Sequence, residues 1–165
     1  MLRTHSTIWF IMNGDKQILG RVADIVSRIL LGLHKPIYAP NSGNGDCVVI
    51  TNCANLVMHR NAWKSRVIRW HTGYPGQLRS MTHEQAHKLD PTMVLRRAVF
   101  KLLPVSKRRF MENLHLFPGD RHPFNSNISM ELEGPSNFTR LSEFTPEQIA
   151  AAPRIVFKSD FFHET

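Results

Sequence analysis

The residues of this sequence with the most obvious catalytic spacing lie in His83–His87, which reads H-E-x-x-H. On a helix, two histidines four residues apart can bind zinc while the glutamate serves as general base. Glu112, 25 residues after His87, could supply a third ligand. However, Pro91 ends the segment early, and Gln85 and Lys88 stand where a buried helix needs apolar side chains. The pattern favours a solvated surface helix, with a zinc hydrolase as the alternative.

The other familiar catalytic patterns do not occur in the sequence. There is no G-x-S-x-G, no phosphate loop ending in G-K-[ST], and no G-x-G-x-x-G after the first predicted strand. The Gly-rich residues 41–46 precede a strand instead of opening a helix, which indicates a turn. Cys47 and Cys53 are too few for a disulfide framework or a zinc site, so we expect two buried thiols. We therefore expect no catalytic residues, no cofactor and no metal.

A second group of residues is suited to binding instead of catalysis. Residues 69–79 read RWHTGYPGQLR, with turn residues and basic residues closely mixed. Two glycines permit positive φ and close backbone approach, and Pro75 fixes a turn. Backbone N–H groups and a threonine can donate to phosphates, and an aromatic ring can stack on an unpaired base. We predict that RNA contacts here involve Lys64, Arg66, Arg69, His71, Thr72, Gly73, Tyr74, Gly76 and Arg79; the alternative is a tight turn with Tyr74 packed inward.

The charge distribution points to the same part of the chain. The chain of 165 residues has a net charge of +8, and residues 60–109 alone hold twelve Lys or Arg and two acidic residues. Such an excess is typical of a surface that meets a polyanion. By contrast, residues 126–165 hold three basic and six acidic residues. Further predicted RNA contacts are His34, Lys35, Lys107, Arg108 and Arg109, each of which could instead be a solvated cation.

The elements that must position these residues begin with an α/β pattern. We predict a buried strand at residues 7–12, a helix at 18–35 that Gly32 and Pro36 end, and an apolar strand at 45–52. A strand, a helix and a second apolar strand indicate a βαβ unit with a parallel sheet. A βαβ start also leaves an α/β enzyme acting on a nucleotide as an alternative, although no acid/base set supports it.

The sequence patterns that predict the later elements are less regular. We predict strands at residues 55–59 and 63–71 and a short helix at 81–89. Arg and Lys alternate along the second strand, so one of its faces should be exposed to solvent. A longer helix follows Asp90-Pro91, with Met93, Val94, Ala98, Leu102 and Leu103 as its apolar stripe. A short helix and a strand, LHLF, come next. From residue 126 the pattern thins, with one capped helix at Thr145–Ala152. We predict a domain at 1–125 and a C-terminal extension at 126–165.

Several separated motifs, taken in order, resemble the universal large-subunit ribosomal protein L13 family. They are LGRVA, HKPIYAP, GDCVVITN, HTGYPGQLR and AVFKLLP, followed by His122-Pro123. The resemblance covers roughly residues 9–125. It implies a three-layer α/β/α fold with a short, mostly parallel sheet, incorporation into the large ribosomal subunit through ribosomal RNA, and no catalysis.

The compartment and the remaining partners follow from the two ends of the chain. TRLSEFTPEQIAAAPRI, at residues 139–155, is similar to the tail of animal mitochondrial members, which implies the mitochondrial matrix and its ribosome. A bacterial or plastid origin is the alternative. The N-terminus resembles an organelle-targeting leader in composition. The acidic tail would repel RNA, so we expect it to contact neighbouring ribosomal proteins. We expect no membrane and no small-molecule substrate as partners.

Overall fold

The computed structural model describes residues 7–40 and 43–135, and this part of the chain folds around a four-stranded sheet. No helix in it is long and apolar enough to cross a membrane. The strands are β1 (Trp9–Asn13), β2 (Cys47–Thr51), β3 (Val67–His71), β4 (Leu78–Thr82), β5 (Leu114–Leu116) and β6 (Met130–Glu131). The helices are α1 (Leu19–Leu31), α2 (Ala62–Ser65), α3 (His83–Leu89) and α4 (Met93–Leu102).

The main sheet has the order β5–β2–β1–β6, and every neighbouring pair in it is parallel. All five residues of β2 are buried, as expected for a central strand that is covered on both faces. β3 and β4 form a separate antiparallel hairpin. The predicted α/β class with a parallel sheet is therefore confirmed.

Helix α1 makes the crossover between β1 and β2, and its packing explains two glycines. Gly32 ends the helix in the left-handed conformation (φ 76°) and donates its N–H back to the last turn. A Cβ on Gly45 would lie 2.0 Å from the carbonyl oxygen of Leu30, so the chain leaving α1 needs glycine to approach this closely. The predicted α1 stripe is buried at Leu19, Val22, Val26, Ile29 and Leu30, but Leu33 lies beyond the cap and is 46% exposed.

Different groups pack on the two faces of the main sheet. Phe10, Met12, Val48 and Ile50 lie in the main core with the buried residues of α1, α3 and α4. On the opposite face, the ring of His115 stacks on that of Trp9, with 5.3 Å between the ring centres. The centre of the Phe124 ring lies 4.5 Å from that of His115. Burial and the nearby Arg96 lower the pKa of His115, because both oppose a second ring proton.

Two predicted strands differ from the structure. Residues 55–59 are not a strand: Val57 forms a single bridge with Ile18 and bonds to Gln17 and Leu19 at the entry of α1. Leu56 and Met58 are buried there, which accounts for the misleading apolar pattern. The strand predicted at 63–71 begins at residue 67, because the preceding residues form α2.

Helix α3 is confirmed, and it begins at a complete capping box in which Thr82 and Gln85 bond reciprocally. Before α4, the Asp90 side chain does not cap the helix; it accepts from the Thr92 N–H and hydroxyl at 2.8 Å and shapes the preceding turn. The predicted α4 stripe is wrong at Leu102, which is 50% exposed, and it missed the buried Leu95 and Val99. A 3-10 segment, Val105–Asn113, then leads into β5, as predicted.

Strand β6 was not predicted. It pairs with β1 through Met130 and Glu131, so the main sheet continues past residue 125. With two residues at a sheet edge, β6 is too short to leave a hydrophobic period in the sequence. Two residues of the predicted C-terminal extension, Met130 and Glu131, therefore take part in the main sheet. The helix predicted at Thr145–Ala152 lies outside the described residues.

Candidate nucleic-acid interface

The predicted RNA loop is the tip of the β3–β4 hairpin. In the register of this hairpin, Arg69 faces Ser80, Trp70 faces Arg79, and His71 faces Leu78. Residues 69–80 are exposed without exception. The hairpin therefore projects from the domain with both faces accessible, and the prediction of a single wet face is wrong. Ile68, 2% exposed, is the anchor of β3 in the core.

The loop itself is a tight turn that leaves its ring outside. Gln77 N–H donates to the Tyr74 carbonyl at 3.2 Å, with Pro75 and Gly76 (φ 74°) as the central residues. This is the arrangement of a type II turn, in which the third residue needs positive φ. Tyr74 is 73% exposed, so the alternative in which it packs inward is wrong.

A hydrogen bond between Gly73 and His71 shapes the start of the loop. Gly73 takes φ 97° and donates its N–H to His71 Nδ1 at 2.9 Å. That bond fixes the imidazole ring beside the turn. A Cβ on either loop glycine would meet no atom within 4 Å, so the space over the turn is open. A ligand can therefore approach the backbone here closely.

Strand alternation divides the hairpin cations between two faces. Arg69 and His71 lie on one face, and Arg79 lies on the other beside Trp70. Trp70 is 37% exposed and was not among the predicted contacts. Its position opposite Arg79 pairs a planar ring with a guanidinium, which are the groups that bind bases and phosphates. Trp70 and Arg79 are neighbours only because of the strand register, so the sequence of β3 alone does not predict their proximity.

The base of the hairpin is held by hydrogen bonds to the helices, one from a backbone N–H and one from an arginine side chain. The His83 N–H donates to the Arg66 carbonyl at 3.0 Å, and Arg97 donates to the Arg69 carbonyl at 3.3 Å. Arg66 is the exposed residue that follows α2, and Lys64 is exposed on that helix. These bonds join α2, α3, α4 and the hairpin into a single cationic region.

His34 and Lys35 already have an intramolecular partner. Asp46 is fully buried, and its carboxylate lies 2.9 Å from His34 Nε2 and 2.5 Å from Lys35 Nζ. The same carboxylate accepts from the Ile8 N–H at 2.9 Å. Because a buried carboxylate needs such partners, these two side chains are held for the fold. They are weaker candidates for phosphate contacts than the sequence indicates.

The basic residues after α4 lie against aromatic rings. The Arg108 guanidinium is 4.3 Å from the centre of the Phe100 ring, and Lys107 and Arg109 are each 5.4 Å from that of Phe110. Such contacts orient a cation without neutralising it. Arg109 is exposed, whereas Lys107 and Arg108 are half-buried.

The H-E-x-x-H segment is occupied by structural contacts. His87 Nε2 lies 3.0 Å from the Ala54 carbonyl oxygen, and its ring is 4.7 Å from that of Trp63. Glu84 pairs with Lys88 at 2.9 Å, and this bond lowers the pKa of Glu84. In the part of the chain that the structure describes, no three His, Cys, Asp or Glu residues are grouped to hold a metal ion.

His83 lies near three positively charged side chains. Burial lowers its pKa, and Arg66, Lys101 and Arg97 lower it further because each repels an imidazolium. Its Nδ1 is buried without a hydrogen-bond partner. Of these three cations, sequence reasoning missed Lys101 and Arg97, which lie on α4 and reach the hairpin region only through the tertiary fold.

The cysteines are buried free thiols, as predicted. Burial raises the pKa of Cys53 to about 12, although a hydrogen bond from the Phe117 backbone opposes the shift. A thiol with so high a pKa carries almost no thiolate at neutral pH and is therefore unreactive.

Comparisons with known proteins show what this sequence is similar to. A sequence model of the family described as ribosomal protein L13 matches residues 7–123. The protein named large ribosomal subunit protein uL13 in Rubrobacter xylanophilus is 36% identical over 117 residues, which cover 70% of this chain and 82% of that protein. The protein of the same name in Geobacter sulfurreducens is 35% identical over 127 residues, covering 76% and 89%. That of Thermotoga maritima is 32% identical over 127 residues, covering 76% and 85%.

Proposed function

The chain belongs to the ribosomal protein L13 family, and from this premise we propose that it is held in the large ribosomal subunit by ribosomal RNA bound to the β3–β4 hairpin. As a member of that family it is a structural ribosomal protein and not an enzyme. The observation that carries the proposal is the exposure of all residues from 69 to 80 on a projecting, cationic hairpin. Such a shape can enter structured RNA and contact phosphates on both faces.

The proposed contacts differ in what supports them. Within residues 7–40 and 43–135, the arginines of the hairpin have no acidic side chain at ion-pairing distance, and they surround an open turn, so they form the primary contact. Arg109 and the neighbouring Lys107 and Arg108 form a second basic site near α4. His34 and Lys35 contribute least, because both side chains already bind the buried Asp46 carboxylate.

Replacing Arg66, Arg69 and Arg79 together with alanine tests the hairpin. Removing one cation that binds a phosphate should reduce the slope of log K against log salt by about 0.7 to 0.9, so the slope should flatten by about 2 to 3. The measurement is a filter-binding titration with large-subunit ribosomal RNA at several salt concentrations. The matched control replaces Arg21, Arg28 and Arg121, three exposed cations outside this region, and should keep the original slope. If the hairpin variant keeps it too, the hairpin is not the RNA-binding surface.

We propose further that the ribosome concerned is mitochondrial. The support is the resemblance of residues 139–155 to animal mitochondrial members, a segment outside the matched residues 7–123. Protease protection of fractionated cells tests this proposal. The chain should resist protease until the mitochondrial inner membrane is opened. Recovery in a cytosolic or plastid fraction would refute the location while leaving the ribosomal role intact.

The acidic tail is proposed to contact neighbouring ribosomal proteins instead of RNA. Residues 126–165 hold six acidic and three basic residues, a balance that repels phosphate. Because β6 belongs to the sheet, the informative truncation ends at Pro135. This truncation should leave affinity for isolated RNA unchanged or slightly higher. A large decrease in RNA affinity would contradict the assignment.

A further inference from the structure

A cleft at the foot of the hairpin carries features that the hairpin proposal does not use. Its volume is about 730 Å³, and it lies between the start of α1, helix α2 and the last turns of α4. Half of the residues around it are apolar, namely Ile18, Leu19, Ala23, Met58, Ala62, Ala98 and Leu102. A cleft of this size accommodates one small organic group with most of its surface buried.

The cleft also has a cationic rim. Arg60, Arg66 and Lys101 line it together with His59 and Asn61. In residues 7–40 and 43–135, none of these three cations has an acidic side chain within ion-pairing distance. Three unneutralised cations around one apolar cavity repel each other, and an anion bound among them removes that repulsion.

A fixed dipole adds to the positive field. Helix α1 begins at the cleft with Ile18 as its N-cap, which offers no side-chain hydrogen bond, and its first turn has no acidic residue. The Val57 carbonyl accepts the Leu19 N–H at 3.0 Å, so the part of the helix N-terminal partial charge that this bond does not balance faces the cleft. The pKa of His83 is lowered first by burial and then by Arg66, Lys101 and Arg97, so it reflects two of the same rim cations.

We propose that this cleft binds a single unstacked nucleotide of RNA, with the base on the apolar floor and the flanking phosphates on Arg60, Arg66 and Lys101. An apolar floor suits a base, and the cationic rim suits its phosphates. Sequence-specific RNA recognition commonly uses bases that are splayed out of a helix. This inference rests on the proposed function, since it supplies a second contact for the RNA that the hairpin binds.

Gly20 allows a test that leaves the charges intact. It lines the cleft within α1, is exposed, and a Cβ there would meet nothing within 4 Å. Gly20→Leu should place a side chain in the space of the base without disturbing the core, and Gly20→Ala is its small, helix-compatible control. Arg60→Gln with Lys101→Gln removes rim charge while sparing Arg66 of the hairpin. Arg28→Gln with Arg121→Gln is the control of equal charge.

The probes are a mixed-sequence single-stranded RNA of twelve nucleotides and a fully paired duplex of twelve base pairs, measured by fluorescence anisotropy with the full chain. Gly20→Leu should weaken single-strand binding about tenfold, since excluding one base from an apolar floor loses buried apolar area on that scale. It should leave duplex binding unchanged. The Arg60/Lys101 variant should also bind the single strand more weakly, and both control variants should retain the original affinity.

Several outcomes would overturn the inference. Single-strand binding unchanged in both cleft variants would remove the cleft as an RNA site while leaving the hairpin proposal intact. Failure of the unaltered chain to bind ribosomal RNA would remove both. Adenosine monophosphate binding as tightly as the single strand would make the occupant a free nucleotide. Unchanged RNA binding by Gly20→Leu with failure to incorporate into the large subunit would point to a protein occupant.

Discussion

At the scale of single residues, Asp46 organises more of the structure than any other polar side chain described. It is fully buried and holds Ile8, His34 and Lys35 through its carboxylate. The sequence presents it only as the end of a Gly-rich turn. Its partners lie 38, 12 and 11 residues away, so their convergence depends on the crossover from β1 to β2. Sequence analysis therefore assigned two of these partners to RNA.

Replacing Asp46 with asparagine should destabilise the fold by about 3 kcal/mol, because the substitution removes the buried carboxylate that binds the Lys35 ammonium and the His34 ring. The measurement is the free energy of unfolding in urea. Asp24→Asn is the control: Asp24 pairs with Arg28 at 3.1 Å with both side chains largely exposed, so it should cost at most about 0.5 kcal/mol. Equal effects of the two substitutions would contradict the organising role of Asp46.

Two histidines make the stability depend on pH. The pKa values of His83 and His115 are both lowered from the ordinary 6.5, so the unfolded chain binds their protons more readily than the folded chain. Stability is therefore fully present above pH 6.5 and should fall as the pH drops below that value. Urea titrations between pH 8 and pH 5 measure the decline. The double variant His83→Gln/His115→Gln should show a shallower pH dependence, and an unchanged dependence would refute this explanation.

At the scale of elements, the sequence predicted those with a strong period and missed those without one. β1, α1 and β2 follow from apolar spacing and from Gly32. β4 was missed because Leu78–Thr82 has no alternating pattern, and its pairing with β3 creates the element. The rule that strand-like runs joined by a short Gly-containing loop form a hairpin could have found it. The 3-10 segment Cys53–Asn55 was missed too. The apolar residues that follow it are buried but form no strand, so their pattern was misleading.

The hairpin turn depends on the backbone of Gly76. Its φ of 74° is unfavourable for a residue with a side chain, while the space around it is open. Gly76→Ala should therefore cost about 1 to 2 kcal/mol of local strain and weaken RNA binding by rearranging the loop. Gly119→Ala is the control, since that glycine also has open space but no positive φ. Nuclear magnetic resonance of the loop amides and a binding titration measure both effects. Identical spectra outside the substituted residue would contradict the strained-turn account.

At the scale of the whole molecule, the positive charge is concentrated on one part of the fold. Residues 60–109, with twelve basic and two acidic residues, form α2, the hairpin, α3 and α4. The parallel sheet and α1 form the support for this region. Composition located this excess of positive charge in advance, because charge is a local property of sequence. It did not predict the cleft, which combines residues from three separated segments.

The central claim is that this chain is a structural protein of the large ribosomal subunit. The most direct measurement is a sucrose gradient of a whole-cell lysate, probed for the chain in magnesium and again after EDTA separates the subunits. We expect the chain to follow the large subunit in both gradients and to leave it only at high salt. A chain that stays at the top of every gradient would contradict the claim.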